Sequence, residues 1–269
     1  MIAIATASQK GGVGKTTLCI NLAYSLARRG WTTLLVDTDP QGGVGLSLAR
    51  STRTKQGFYD FLSGERDFNK LVLPTRLPEL QILPTGQYDQ CARRGWSAQE
   101  VPVRLADLLR AAELRGVDCV IMDTAAGLNG MSESVVKACD YVILPQQAEP
   151  LAVRSVPHML ETLSRFRTEG AGVKVAGILM TMVLGESQIS QKVVAELRAM
   201  LPGDMMFDQV VPRMNSFLEA SAMGVPVALL KKNPPPEALI FDQLAAELEQ
   251  RAGLAQERES TESHASLLD

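Results

Sequence analysis

Short runs of consecutive apolar residues alternate along this chain with stretches whose apolar positions recur at helical spacing. Ile2 to Thr6 is the first run, Thr32 to Val36 the second and Asp118 to Met122 the third. Uninterrupted apolar residues over so few positions predict strands buried on both faces. Between the first two, Leu18, Leu22 and Leu26 share one face of a helix predicted over Thr17 to Arg29. Near the C-terminus Phe241, Leu244, Leu248 and Leu254 form a comparable stripe, read as a last helix packing on the sheet, with Pro234-Pro235-Pro236 as a stiff connector leading into it. Strands and helices in this alternation predict an α/β domain with a parallel sheet.

With 269 residues, 46% hydrophobic and 21% charged, the chain can bury a sizeable core. No Gly/Ser/Pro linker divides it and no repeat of fixed period appears, so one domain is expected over 1–250. The stretch 251–269 sets Glu257, Glu259, Glu262 and Asp269 against Arg251 and Arg258 and reads as a mobile acidic tail. Cys19, Cys91, Cys119 and Cys139 form no CxxC pair and have no histidine at ligand spacing; reduced, buried thiols are expected and an iron–sulfur site is disfavoured. A net charge of −3 gives no ground for a strong general attraction to nucleic acid, so any such surface must be local. The first strand starts almost at once, leaving no room for a signal peptide, and no apolar run approaches membrane-spanning length, so a cytoplasmic protein is expected.

Chemistry enters with Lys10-Gly11-Gly12-Val13-Gly14-Lys15-Thr16-Thr17, which follows the first strand and opens the first helix. A phosphate-binding loop needs a strand, a turn whose N–H groups point inward and a helix N-terminus facing the anion, and all three are present. Gly11, Gly12, Val13, Gly14 and Thr17 would cradle phosphate oxygens, Lys15 would reach the β- and γ-phosphates, and the Thr16 hydroxyl would ligate Mg²⁺. The position where the usual loop begins with glycine holds Gln9, and an extra lysine, Lys10, follows it. The second strand ends in Asp37-Thr38-Asp39-Pro40-Gln41-Gly42, and the third in Asp123-Thr124-Ala125-Ala126-Gly127. In a parallel sheet those strand ends lie beside the phosphate loop, where carboxylates suit Mg²⁺ and water, although Asp-Pro-Gln-Gly taken alone is also a good turn signal. Asp123 closes an apolar strand as a Walker B acid does, holding a Mg²⁺-bound water.

The loop with its extra lysine resembles the ParA/MinD family of P-loop ATPases. That resemblance implies a P-loop NTPase fold, with a mostly parallel twisted sheet flanked by helices on both faces, and ATP and Mg²⁺ as cofactors. It implies that Lys10 reaches across a nucleotide-sandwich dimer to the partner's ATP; read alone, Lys10 is a solvated loop lysine. The Asp-x-Asp-Pro-Gln match is complete, so by resemblance Asp37 supports the metal site and Asp39 orients the attacking water. Partition ATPases usually carry Asp-Thr-Pro-Pro where this chain has Asp123-Thr124-Ala125-Ala126, which leans towards the MinD branch. Later segments lean the other way. Tyr141 to Glu149 resembles the family's strand ending in Pro-x-x-x-Glu, followed by a long helix from about Leu151 to Arg167, and Gly177 to Met182 resembles a ParA strand ending in Leu-Thr-Met. Val211-Pro212-Arg213 resembles the family's base-side loop, so Pro212 and Arg213 join the expected nucleotide site. The resemblance covers roughly residues 1 to 250.

By the same resemblance the ATP-bound chain forms a homodimer, binds DNA without sequence preference, associates with the nucleoid and responds to a cargo-linked activator protein. Ser216 stands where the family often has a second arginine. Arg213, Arg198, Lys192, Lys231 and Lys232 are the candidates for a phosphate-binding patch, though each singly reads as a solvated surface residue. The alternative within the superfamily is a MinD or flagellar-number type of membrane-associated ATPase, which needs basic residues flanking a C-terminal apolar stripe, whereas here the flanks are Glu247, Glu249 and Glu257. A metabolic P-loop ligase or kinase would need a dedicated acceptor pocket, and none is legible; His158 and His264 read as incidental.

Overall fold

The computed structural model describes residues 1–48, 55–64, 67–94 and 99–254. Its first half runs β1 (Ile2–Thr6), α1 (Lys15–Arg28), β2 (Thr33–Asp37), α2 (Gly43–Leu48), α3 (Phe58–Leu62), α4 (Phe68–Leu71), β3 (Leu73–Pro74), β4 (Leu80–Leu83), α5 (Tyr88–Arg94) and α6 (Glu100–Leu114). The second half runs β5 (Cys119–Asp123), α7 (Gly130–Ala138), β6 (Tyr141–Gln147), α8 (Pro150–Thr168), β7 (Lys174–Val183), α9 (Gln188–Met200), β8 (Met206–Pro212), α10 (Asn215–Met223), a 3-10 turn at Val227–Leu229 and α11 (Glu237–Ala252). The strands form one sheet in the order β3-β4-β2-β5-β1-β6-β7-β8. Every neighbouring pair is parallel except β3 with β4.

Strand alternation sends side chains to two separate apolar layers. Ala3, Ala5, Leu34, Val36, Val120 and Met122 pack with residues of α6, α7, α8 and α9 on one face. Ile2, Ile4, Leu35, Cys119 and Ile121 pack with α1 and α11 on the other. A strand buried on both sides favours apolar residues through its middle, which is why Ala3 to Ala5, Leu34 to Val36 and Cys119 to Met122 are apolar. All four cysteines are free and buried among these layers, as expected.

The apolar stripe of the last helix is core: Phe241, Leu244 and Leu248 are buried against α1 and the sheet, and so is Leu254. The boundary expected at 250 falls inside this element. Arg251 donates to the carbonyl oxygens of Ala176 and Met206 at 2.9 and 2.7 Å, tying the helix end to β7 and β8. Residues 255–269, with the acidic positions of the expected tail, lie outside the described residues.

One buried ionic cluster joins the ends of α1 and α11. Glu249 accepts from Arg29 Nε and Nη2 at 2.6 and 2.7 Å and from Trp31 Nε1 at 2.7 Å. Removing the carboxylate would leave a half-buried guanidinium and an indole N–H without this acceptor. Glu249→Ala is therefore expected to cost about 2 kcal/mol of unfolding free energy in urea titration, the partial exposure of Arg29 lowering the figure from that of a fully buried pair.

Candidate nucleotide site

Three strand ends meet at the carboxyl edge of the sheet. The register pairs Thr6 of β1 and Asp37 of β2 with Asp123 of β5 on either side. The loop that follows β1 therefore opens next to two carboxylates, as the parallel sheet predicts. Gly14 caps α1 with φ 89° and ψ 23°, a left-handed conformation that a side chain would strain. It turns the chain directly from loop to helix, so the first N–H groups of α1 face the loop concavity.

Hydroxyls from neighbouring strand ends fix the loop from behind. Thr181 of β7 donates to Val13 O at 2.9 Å, Thr124 donates to Thr6 O at 2.6 Å, and Ser8 donates to Lys10 O at 2.8 Å. Gly127 N donates to Ser8 O at 2.8 Å and so ties the loop after β5 to the loop after β1. Lys15 is only 8% exposed and its ammonium donates to Ser8 Oγ at 3.0 Å, inside the loop.

The carboxylates are buried and crowded. Asp37 Oδ1 accepts from Asp39 N at 3.2 Å and Oδ2 from Val44 N at 3.0 Å, yet burial pushes its pKa up to about 6. Asp123 is pushed up to about 7, first by burial and then by the charge of Asp37, with the Thr16 hydroxyl and Lys15 pulling the other way. Cys19 donates a long S–H contact of 3.6 Å to Asp123 Oδ1, while Asp123 Oδ2 is buried without a hydrogen-bond partner. An orphaned carboxylate oxygen beside a second carboxylate and a threonine hydroxyl fits Mg²⁺, which takes oxygen donors. Among the described residues no group of three or more His, Cys, Asp or Glu could hold a metal ion. That agrees with the usual Mg²⁺ arrangement, in which one or two protein groups are completed by substrate phosphates and water.

Beside the loop lies a cavity of about 270 Å³ whose wall includes Val13, Thr17, Met182, Pro212, Arg213 and Phe217. Pro212 and Arg213 thus line a cavity that adjoins the phosphate loop. Met182 has φ 52°, in the left-handed region that its side chain disfavours, and its methyl group faces Gly14. Nothing in a sequence pattern marks that conformation, nor the Thr181 brace one residue earlier.

Lys10 reaches from the loop to the end of β6 and the start of α8. Its side chain is 48% exposed, and its ammonium pairs with Glu149 Oε2 at 2.8 Å and Gln147 Oε1 at 3.3 Å. Asp39 Oδ1 accepts from Gln41 N at 2.9 Å, closing its own turn. The basic candidates do not gather on one layer of a single chain. Arg198 and Lys192 lie on α9, which packs on the α6–α9 side, and Arg198 donates to Phe207 O and Asp208 O at 3.2 Å each. Lys231 and Lys232 follow the turn that packs with α1 and α11 on the opposite side.

Fold and site together define a nucleoside triphosphatase of the P-loop class. The family described as an AAA domain matches residues 1–175. Soj, a chromosome-partitioning ATPase of Thermus thermophilus, is 36% identical over 248 residues, covering 91% of this chain and 94% of that protein. The chromosome partitioning protein ParA of Caulobacter vibrioides is 34% identical over 238 residues, covering 84% and 86%. An aspartate-to-alanine variant of Cyanothece McdA in complex with ATP superposes with TM-score 0.75 at 20% identity, covering 94% and 96%. Cobyrinic acid a,c-diamide synthase from Mycobacterium smegmatis, with bound ATP analogue and magnesium, superposes with TM-score 0.73 at 26% identity, covering 94% and 97%. The chain belongs to the ParA/MinD family of P-loop ATPases, and it is an ATPase.

Because both carboxyls titrate above the ordinary range, the folded chain holds protons that the unfolded chain has lost between about pH 4 and pH 7, so their contribution to stability falls as pH rises through that interval. In the nucleotide-free protein, Asp123→Asn is expected to be more stable than wild type by about 1–2 kcal/mol at about pH 8, with the difference shrinking as pH falls and vanishing below about pH 4, as read by chemical denaturation. Equal stability of the two proteins at both pH values would show that the buried pair carries no such electrostatic cost.

Proposed function

We propose that this chain is a dimerising ATPase that positions or segregates an intracellular cargo and binds DNA without sequence preference in its ATP-bound dimer. The observation that carries the reading is the contrast between the two loop lysines. Lys15 is buried inside its own loop, whereas Lys10 is half exposed and, among the described residues, is paired with Glu149 and Gln147. A cation so placed is available to a phosphate group presented by a second copy of the chain. The names of the relatives, chromosome-partitioning ATPases among them, support the same reading.

In this mechanism Lys15 and the loop N–H groups bind and orient the β- and γ-phosphates, and Lys10 of the partner copy adds positive charge where negative charge develops. Thr16, Asp37 and Asp123 would hold Mg²⁺, which when bound neutralises charge on the phosphate oxygens. Asp39, at the mouth of the site, orients the attacking water. Loss of the γ-phosphate removes the contact shared by both copies, so the dimer opens; hydrolysis then acts as a slow timer that an activator protein on the cargo shortens. Pairing doubles each cation by symmetry, so a few arginines and lysines per copy suffice for a DNA surface even though one chain does not cluster them.

The membrane alternative draws little support here. Among the described residues no helix is long and apolar enough to cross a membrane, and the apolar face of α11 is spent on the core.

Lys15→Ala is expected to weaken Mg-ATP binding at least about a hundredfold in equilibrium titration, since the phosphates lose their nearest buried cation. Asp39→Ala should retain ATP, lose turnover and accumulate as dimer in light scattering. Duplex DNA of arbitrary sequence should retain the ATP-bound dimer with an affinity that falls roughly a thousandfold or more between about 50 and 200 mM salt, as counterion release requires. Capture on anionic liposomes instead of DNA would move the assignment to the membrane branch.

A further inference from the structure

The segment that carries Asp39 is gripped from the side opposite the phosphate loop. Three successive backbone carbonyls, those of Asp37, Thr38 and Asp39, accept hydrogen bonds from two side-chain hydroxyls. Thr85, two residues past β4, directs its one hydroxyl proton at Asp39 O, 2.7 Å away, and shares it with the more distant Asp37 O at 3.2 Å. Tyr59, on α3 and fully buried, donates its phenol to Thr38 O at 2.9 Å. Asp39 O also accepts from Gly42 N at 2.9 Å, so Thr85 holds the first residue of the turn that presents the Asp39 carboxylate.

Both hydroxyls are themselves fixed by a compact clasp between the 57–60 and 84–87 segments. Phe58 N donates to Pro84 O at 2.7 Å and Tyr59 N to Thr85 O at 3.0 Å. The buried carboxylate of Asp60 accepts from Gly57 N at 2.8 Å and Gln87 N at 3.1 Å, stapling the two segments together. They approach so closely that a Cβ at Gly57 would collide with Pro84 O, and one at Gly86, whose φ is +81°, with the Asp60 carboxylate. The Tyr59 ring is wedged edge-on between Phe58 and Tyr88. A clasp this constrained, ending in two hydroxyls aimed at one backbone turn, determines where that turn sits.

We infer that Thr85 and Tyr59 are positioning residues for hydrolysis, setting the reach of Asp39 through its backbone while touching neither nucleotide nor water themselves. The inference rests on the reading of Asp39 as the group that orients the attacking water. An exposed turn held only by its own Asx bond samples several orientations, and a displacement of about 1 Å in a positioning group costs up to about a hundredfold in rate. Each anchoring hydroxyl removes part of that freedom, which is how supporting hydrogen bonds tune a reacting site.

Two measurements test it on Thr85→Val, Thr85→Ser, Tyr59→Phe and Asp39→Ala, all as full-length protein. In the nucleotide-free state, hydrogen exchange at the Gly42 amide should quicken about tenfold in Thr85→Val and return to the wild-type rate in Thr85→Ser, with the Leu18 amide of α1 unchanged in both. In single-turnover ATP cleavage, Thr85→Val and Tyr59→Phe should each slow the rate about tenfold while ATP affinity stays within about twofold, and Thr85→Ser should restore the rate. Combined with Asp39→Ala, Thr85→Val should add no further loss, because both act through one group. Wild-type cleavage by Thr85→Val alongside a defective Asp39→Ala would overturn the clasp and leave the role of Asp39 standing. Wild-type cleavage by Asp39→Ala would instead remove the reading on which the clasp depends. A loss in Thr85→Val that Thr85→Ser fails to repair, accompanied by weaker ATP binding and faster Leu18 exchange, would mark Thr85 as a packing residue only.

Discussion

Two carboxylates held side by side at the carboxyl edge of the sheet set the terms for the rest of this molecule. Asp37 and Asp123 are paired in register on adjacent strands, both fully buried, and Asp123 keeps one oxygen with no partner. Parallel strands packed on both faces leave no room for either group to turn to water. Asp37 raises the pKa of Asp123 beyond what burial alone does, and the charge of Asp39 adds to the burial of Asp37. An arrangement that costs stability in the isolated chain is relieved when positive charge arrives, and that is the physical meaning of a binding site poised for a divalent ion.

Around this pair the loops are placed less by their own sequences than by hydroxyls reaching from other strands. Thr181 grips Val13 O, Thr124 grips Thr6 O, Thr38 grips Asp123 O at 2.7 Å, and Thr85 and Tyr59 grip the turn after β2. Each adds a side-chain donor to a backbone carbonyl at a strand end or in the loop that follows it. Five residues on different elements thus convert glycine-rich segments, which would otherwise be the most mobile part of the fold, into a surface of fixed shape. Cys19 takes part as a buried thiol between Thr6 and Asp123, with Thr6 Oγ1 at 3.2 Å, and burial and the nearby carboxylate hold its pKa far above the ordinary thiol value.

The two faces of the sheet divide the remaining work. The layer of α1 and α11 is closed by the Arg29, Trp31 and Glu249 cluster and by Arg251, which fastens the last helix to β7 and β8. The opposite layer carries α8, whose N-terminus follows Glu149, the partner of Lys10. The exposed lysine of the phosphate loop is therefore held at the junction between β6 and α8.

The sequence by itself determined the α/β class, the three strand ends that bear Asp37, Asp123 and the phosphate loop, and the burial of the α11 stripe, because those depend on local periodicity and on contiguous motifs. The helix predicted from 17 begins at Lys15 because the glycine cap lets helical geometry begin at the lysine itself, and it ends one residue earlier than predicted, with Arg29 as its C-cap. What only the tertiary structure decided was long-range: which strand ends become neighbours, the pairing of Lys10 with Glu149 across 139 positions, the clasp that brings Tyr59 and Thr85 to the Asp39 turn, and the separation of Arg198 from Lys231 and Lys232 onto opposite layers. Thr85 and Tyr59 sit in no recognisable motif, since a hydroxyl bonding to a backbone carbonyl needs a position in space and leaves no pattern along the chain. Chemistry written in neighbouring residues can be read from order alone, whereas contacts made across the sheet exist only once the chain has closed on itself.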